Sequence, residues 1–181
     1  HGFLDNLTKP QQVGYDTAAF GQGIAITPIE TVRALASLGN GGYLVTPHLV
    51  KAVHYDTGVT RNLGWGDPVP VLKPETSTTI TRMLVQVVDT SLINGAGKME
   101  HYSIAAKTGT AQVANPAGGG YYPDKYLHSF FGYFPAFEPR YIVFLFALEP
   151  QGAQYASQTW ADPFFSLVHF LINYYNIAPD R

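Results

Sequence analysis

The 181 residues contain no cysteine, which excludes disulfides and thiolate metal sites. Charge is scarce: Asp, Glu, Lys and Arg make up 13% of the chain, with a formal net charge of −2. No block of Lys or Arg occurs, whereas a nucleic-acid partner would need a basic stripe to meet its phosphates. Long apolar runs are missing too. The longest, "YIVFLFAL" from Tyr141 to Leu148, falls far short of the roughly 20 residues that span a bilayer. There are no internal repeats, and no low-complexity stretch exceeds Gly118–Gly120. What remains is 46% hydrophobic, enough to fill a large core and to exclude disorder. The length suits one domain or a large part of one.

The first stretch, "HGFLDNLTKPQQVGYDTAAFGQG", carries Gly, Pro and polar residues without sustained periodicity and reads as irregular. A helix then opens at "TPIE": Thr27 caps it, Pro28 suits its first turn, and Glu30 completes a capping box. Ile29, Val32, Leu35 and Ala36 form its stripe, and Gly39, Gly41 and Gly42 offer stops. "YLVTPHLVKAVHYDTG" reads as extended, with a turn at Asp56–Gly58. A second helix is expected after Pro74, through "ETSTTITRMLVQVVDTSL", ending at a mobile turn near "NGAGK". Three strand candidates follow: "SIAAKTGTAQV", "HSFFGYFPA" after a Gly-rich loop at Asn115–Gly120, and "RYIVFLFALEP". The turn between the last two falls at Phe137–Arg140. The final element, "ADPFFSLVHFLINYYN", has a narrow polar stripe of Ser166, His169 and Asn173, which predicts a helix buried around most of its circumference.

Within the first strand, "AAKTGTAQ" places a cation and two hydroxyls on a nearly bare backbone. Side chains alternate between faces on a strand, so Lys107 and Gly109 share one face and Thr108 and Thr110 the other. Gly109, lacking a side chain, lets a ligand's backbone come close. Lys107 supplies positive charge, and the threonine hydroxyls suit a carboxylate. On an edge strand the Thr110 N–H is free to meet a developing oxyanion. Alone, Lys-Thr-Gly is also what an ordinary solvated strand would show; the surrounding residues decide.

Other chemistry is weakly supported. His1, His48, His54, His101, His128 and His169 have neither an H-x-x-x-H pair nor an acidic partner at ligand spacing, which argues against zinc. "NGAGKM" lacks the remainder of a phosphate-binding loop. The aromatics Phe130, Phe131, Tyr133, Phe134, Phe137, Tyr141, Phe144 and Phe146 default to core. Tyr121 and Tyr122 are placed beside the Gly-rich loop, at the border of a cleft.

"KTGTAQ", followed by "GGGYYPDKYLHSFFGYFPAFEPRYIVFLFALEP", closely resembles the end of a class B penicillin-binding protein transpeptidase domain. Upstream, "FGQGIAITPIETVRALASLGNGGYLVTPHLV" is similar to the segment such domains carry between their second and third active-site motifs, and "NIAPD" resembles the division-associated members. The likeness runs from about Ala18 to Asp180, with its parts in the family's order. One departure stands out. The family uses S-x-x-K, then S-x-N, then K-T-G, and neither of the first two occurs here. Ser103 precedes Lys107 by four residues rather than three. "YYN" at Tyr174–Asn176 follows K-T-G instead of preceding it and reads as helix-end packing.

The resemblance implies an α/β (α+β) serine transpeptidase or β-lactamase-like fold, an antiparallel sheet flanked by helices and incomplete in this chain. Residues 1–181 would be the C-terminal part of one domain whose N-terminal part carries the nucleophile. It implies a peptidoglycan D,D-transpeptidase of septal wall synthesis, acylated by β-lactams, extracytoplasmic and with a membrane-anchored parent. This chain alone would be inactive. By the same resemblance Lys107 tunes the site's electrostatics and the Thr110 backbone N–H is half the oxyanion hole. Thr108, Gly109 and Thr110 bind substrate. No metal or organic cofactor is implied. The implied partners are the N-terminal part of the domain, a peptidoglycan stem peptide, β-lactams and division proteins of the envelope. The alternatives are a β-lactamase or β-lactam sensor of the same fold, or a non-catalytic scaffold. Finally, the apolar strand at Tyr141–Leu148 puts Tyr141, Val143, Leu145 and Ala147 on one face and Ile142, Phe144, Phe146 and Leu148 on the other. The C-terminal helix can cover only one of these faces.

Overall fold

Short helices and hairpins lead into three long antiparallel strands and a closing helix, in a computed structural model that describes residues 2, 4–8, 12–118 and 120–181. The candidate ligand His1 and the middle of the glycine run, Gly119, lie outside these residues. Helices α1 (Asp5–Thr8) and α2 (Gln12–Ala19) occupy the stretch expected to be irregular. No residue of α2 is buried, so it carries no apolar stripe for periodicity to reveal. It is held locally, by Gln12 donating to Asp16 at 2.9 Å and the Thr17 hydroxyl donating to the Val13 carbonyl.

Helix α3 (Pro28–Ala36) begins as its sequence requires. Thr27 Oγ1 accepts from the Glu30 N–H at 3.4 Å, and the Glu30 carboxylate accepts from the Thr27 N–H at 3.0 Å. Replacing Thr27 by Ala removes the side-chain cap on the Glu30 N–H and should cost about 1 kcal/mol, read as a lowered denaturation midpoint in urea with an unchanged slope. The chain turns at Gly41 and Gly42, both at positive φ. A Cβ at Gly42 would stand 2.2 Å from the Leu72 carbonyl oxygen, so only glycine lets β1 (Tyr43–Leu44) join β4 (Val69–Pro70) here. Between them β2 (Ala52–His54) and β3 (Thr60–Asn62) form a hairpin, closed by the expected turn at Asp56–Gly58.

Helix α4 (Pro74–Gln86) continues through a wide turn at Val87–Ser91 into a tight one at Leu92–Gly95. The segment after it packs closely. A Cβ at Gly97 would stand 2.3 Å from the Phe165 ring, so the turn expected to be mobile is seated against the closing helix.

Strands β5 (Ala105–Ala114), β6 (Tyr121–Phe134) and β7 (Tyr141–Leu148) form one sheet in the order β5-β6-β7. Strand β6 starts seven residues before the predicted His128. Tyr121 pairs with Ala114, and the register shifts between there and the Gln112–Tyr126 pair. Pro123, which has no N–H to give a ladder, sits in that irregularity. Tyr121 and Tyr122 therefore belong to the strand rather than to the loop.

Helix α5 (Ala156–Tyr174) covers one face of the sheet. Phe130, Phe134 and Val143 meet Phe164, Val168 and Ile172 there, joined by Val88, Leu92 and Ile104. Gly132 permits the close approach: a Cβ would stand 2.5 Å from Phe164 and 2.8 Å from the Ala106 methyl. The outer side of α5 is wider than its polar stripe suggested, because Phe170 and Tyr174 are 58% and 66% exposed and stack on each other. On the opposite face Ala105 and Tyr133 pack against Leu84 and Val85 of α4. There the Tyr133 hydroxyl meets Thr81 Oγ1 at 2.8 Å, and burial raises the Tyr133 pKa. This cover stops short: Phe146 and Leu148 are 48% and 64% exposed. The two faces of β7 thus differ as their alternation required. "YYN" is the end of α5, where Tyr175 stacks on Tyr141. Among the described residues no helix is long and apolar enough to cross a membrane.

Candidate functional site at the edge strand

Strand β5 lies at the edge of the sheet, paired only with β6 among the described residues. In an antiparallel edge strand alternate residues direct N–H and C=O outward, ready for an added strand. The Lys-Thr-Gly-Thr run occupies the middle of this edge. Its start is anchored by the C-terminal tail: the Ser103 N–H donates to the Asp180 carboxylate at 2.7 Å, and the Tyr102 hydroxyl donates to the Ile177 carbonyl. Arg181 closes the tail on Asp89, which raises the guanidinium pKa.

The register places each candidate residue. Lys107 pairs with Phe131 and Gly109 with Ser129; Thr108 pairs with Phe130 and Thr110 with His128. Since Phe130 lies in the α5 core, Thr108 and Thr110 face the α5 side, and Lys107 and Gly109 face the opposite, partly open side. Lys107 is exposed and makes no ion pair among the described residues; its Nζ donates to the Thr108 carbonyl at 2.7 Å. A Cβ at Gly109 would stand 2.6 Å from Ser129 Oγ. Here the strand is pressed against its neighbour, and a side chain at this position would have to displace the Ser129 hydroxyl.

Thr110 is exposed, yet its hydroxyl is held. Oγ1 accepts from the Ala156 N–H at 3.0 Å, in the first turn of α5. A hydroxyl that accepts one hydrogen bond still has its own O–H to give. The edge therefore offers a cation, backbone donors and a pre-oriented hydroxyl to an extended, anionic ligand. No group of metal-ligating side chains occurs among the described residues. A depression of about 610 Å³ lies elsewhere, lined by Lys98, Tyr102, Asp162 and His169 among others and by no residue of β5.

Three residues of this neighbourhood were not legible as site residues: His128, Thr159 and Ser129. His128 is fully buried, with Nδ1 2.8 Å from Thr159 Oγ1. In the sequence it stands only as one of six histidines, because its position opposite Thr110 depends on the β5–β6 register.

Known proteins with this arrangement are plentiful. Residues 2–168 match the family described as the penicillin binding protein transpeptidase domain. Penicillin-binding protein PbpB of Mycolicibacterium smegmatis is 30% identical over 99% of this chain and 29% of its own length. Stage V sporulation protein D of Bacillus subtilis is 33% identical over 90% of this chain and 25% of its own length. The chain thus spans less than a third of these relatives. Penicillin binding protein 3 of Mycobacterium tuberculosis, solved without ligand, superposes with a TM-score of 0.83 at 26% identity, over 97% of this chain and 41% of that one. Its complex with aztreonam superposes at 0.79 and 28% identity, over 92% and 39%. The edge-strand motif, the sheet-and-helix arrangement and these matches together establish that the chain belongs to the transpeptidase domain family of the class B penicillin-binding proteins.

Proposed function

We propose that this chain is the K-T-G side of a serine D,D-transpeptidase that cross-links peptidoglycan in septal wall synthesis. The observation that carries the reading is the Lys107–Thr110 motif on an open edge strand, in a chain of this family. The relatives support it in name: two, from Nephroselmis olivacea and Mesostigma viride, are called peptidoglycan D,D-transpeptidase FtsI homolog.

The reaction takes a stem peptide ending in D-Ala-D-Ala, laid along β5 as an added strand. The nucleophilic serine and its Lys partner lie on residues beyond this chain, in the N-terminal part of the same domain. The serine oxygen bonds to the penultimate carbonyl carbon while its proton passes to a base. The Thr110 N–H helps hold the oxygen that becomes negative. The peptide C–N bond then breaks, the leaving nitrogen takes a proton, and D-Ala departs. An amine of a second stem peptide attacks the ester, and the serine oxygen leaves with a proton. Lys107 contributes positive charge throughout, and the hydroxyls of Thr108 and Thr110 hold the terminal carboxylate, with Gly109 giving room. β-Lactams present the same carboxylate and acylate the same serine. Such a site works outside the cytoplasmic membrane, on a parent anchored to it and associated with division proteins.

Labelling with a fluorescent penicillin tests this. The full-length protein containing these residues should take a covalent label, and the 181-residue polypeptide should take none, since it has no serine with an activating Lys. A label on any serine of the short polypeptide would overturn the assignment. So would a full-length protein that never labels, as a scaffold would, or one that sheds its label within minutes, as a β-lactamase would.

A further inference from the structure

We propose that the first turn of α5 is part of the carboxylate-binding device, and that His128 and Thr159 are positioning residues that hold it against Thr110. The inference rests on the function proposed above and goes beyond it, adding residues outside the K-T-G motif.

Four contacts converge on one point. The Ala156 N–H donates to Thr110 Oγ1 at 3.0 Å. Three residues further along the helix, Thr159 Oγ1 lies 2.8 Å from His128 Nδ1. Next to it, Trp160 Nε1 donates to the His128 carbonyl at 3.3 Å. His128 is the residue opposite Thr110 in the β5–β6 register. The turn is therefore tied to both strands at the same rung of the sheet.

The chemistry of the turn favours an anion nearby. The first N–H groups of a helix have no intrahelical partner, and the helix dipole places positive charge there. The Ala156 N–H spends itself on a lone pair of Thr110 Oγ1, which leaves the Thr110 O–H as donor for a carboxylate. A shift of the turn would release the hydroxyl to rotate, and the donor would no longer be pre-oriented.

His128 is not explained by packing alone. It is fully buried, and its Nε2 has no hydrogen-bond partner among the described residues. A buried polar atom left unpaired is destabilising relative to an apolar side chain of similar shape. The other nitrogen, Nδ1, is the one that is paired, and it meets Thr159 on α5.

The test uses the full-length protein and acylation by benzylpenicillin. Thr159→Val keeps the shape and removes the hydroxyl that meets His128. It should slow acylation about fivefold, the size of one ordinary hydrogen bond, through weaker binding rather than a slower chemical step. Thr159→Ser should restore the rate. In a Thr110→Val background, where the oriented hydroxyl is already gone, Thr159→Val should add no further loss. The methyl ester of benzylpenicillin, which lacks the carboxylate, should be insensitive to Thr159→Val. Losses that multiply in the double variant, or equal losses with acid and ester, would overturn the inference and leave Thr159 a structural residue. An unaltered rate in Thr159→Val would overturn it as well. If the unsubstituted protein is not acylated, the function proposed above fails and the inference falls with it, so the two failures are distinct.

Discussion

Replacing Lys107 by Met in the full-length protein should slow acylation by penicillin on the order of a hundredfold or more. Lys107 is the exposed cation of the edge strand, and among the described residues its Nζ meets only the neighbouring Thr108 carbonyl. A preorganised charge aimed at a reacting centre acts in a water-poor cleft, where removing a single donor typically lowers rates by about a hundredfold to a thousandfold. Methionine keeps most of the length of the side chain and removes the charge. Because Lys107 touches no core cluster, the melting temperature should stay unchanged. Stopped-flow acylation measured beside a thermal melt checks both halves. Equal rates for the two proteins would remove Lys107 from the reaction.

Phe164→Ala should lose about 3–5 kcal/mol of stability, the range for emptying a fully buried aromatic site. Phe164 has no exposed surface and packs edge-on against Phe130, with ring centroids 4.2 Å apart. It also fills the notch left by Gly132, so the cavity would open directly between α5 and the sheet. The loss bears on function as well as folding, since α5 carries the Ala156 N–H that holds Thr110. Urea denaturation of the full-length protein measures it. A loss below about 1 kcal/mol would mean that neighbouring side chains collapse into the space.

The start of α3 was legible because capping is local: Thr27, Pro28 and Glu30 contain the whole instruction within four residues. The alternation of Lys107, Thr108, Gly109 and Thr110 was legible for the same reason, since a strand's faces follow from its own geometry. So was the split of β7 into one covered and one open face. Helix α2 was not, because it buries nothing and its stabilising contacts are polar and short-range. The early start of β6 was not either, because Tyr121–Tyr126 become a strand only by pairing with β5 across an irregular register.

The amino-acid sequence by itself determined the family, through K-T-G and the order of the segments around it, and with it the residues that line the edge. Only the tertiary structure decided what stands behind them. That β5 is an edge strand, that Thr110 faces α5 rather than open solvent alone, and that His128 lies across from it are consequences of register and of one helix crossing a sheet. The physical reason is range. Caps and alternation are set by neighbours in the chain, whereas the contact of Thr110 with Ala156 joins residues 46 positions apart and is made only where α5 packs across the sheet, with Phe164 in the notch at Gly132.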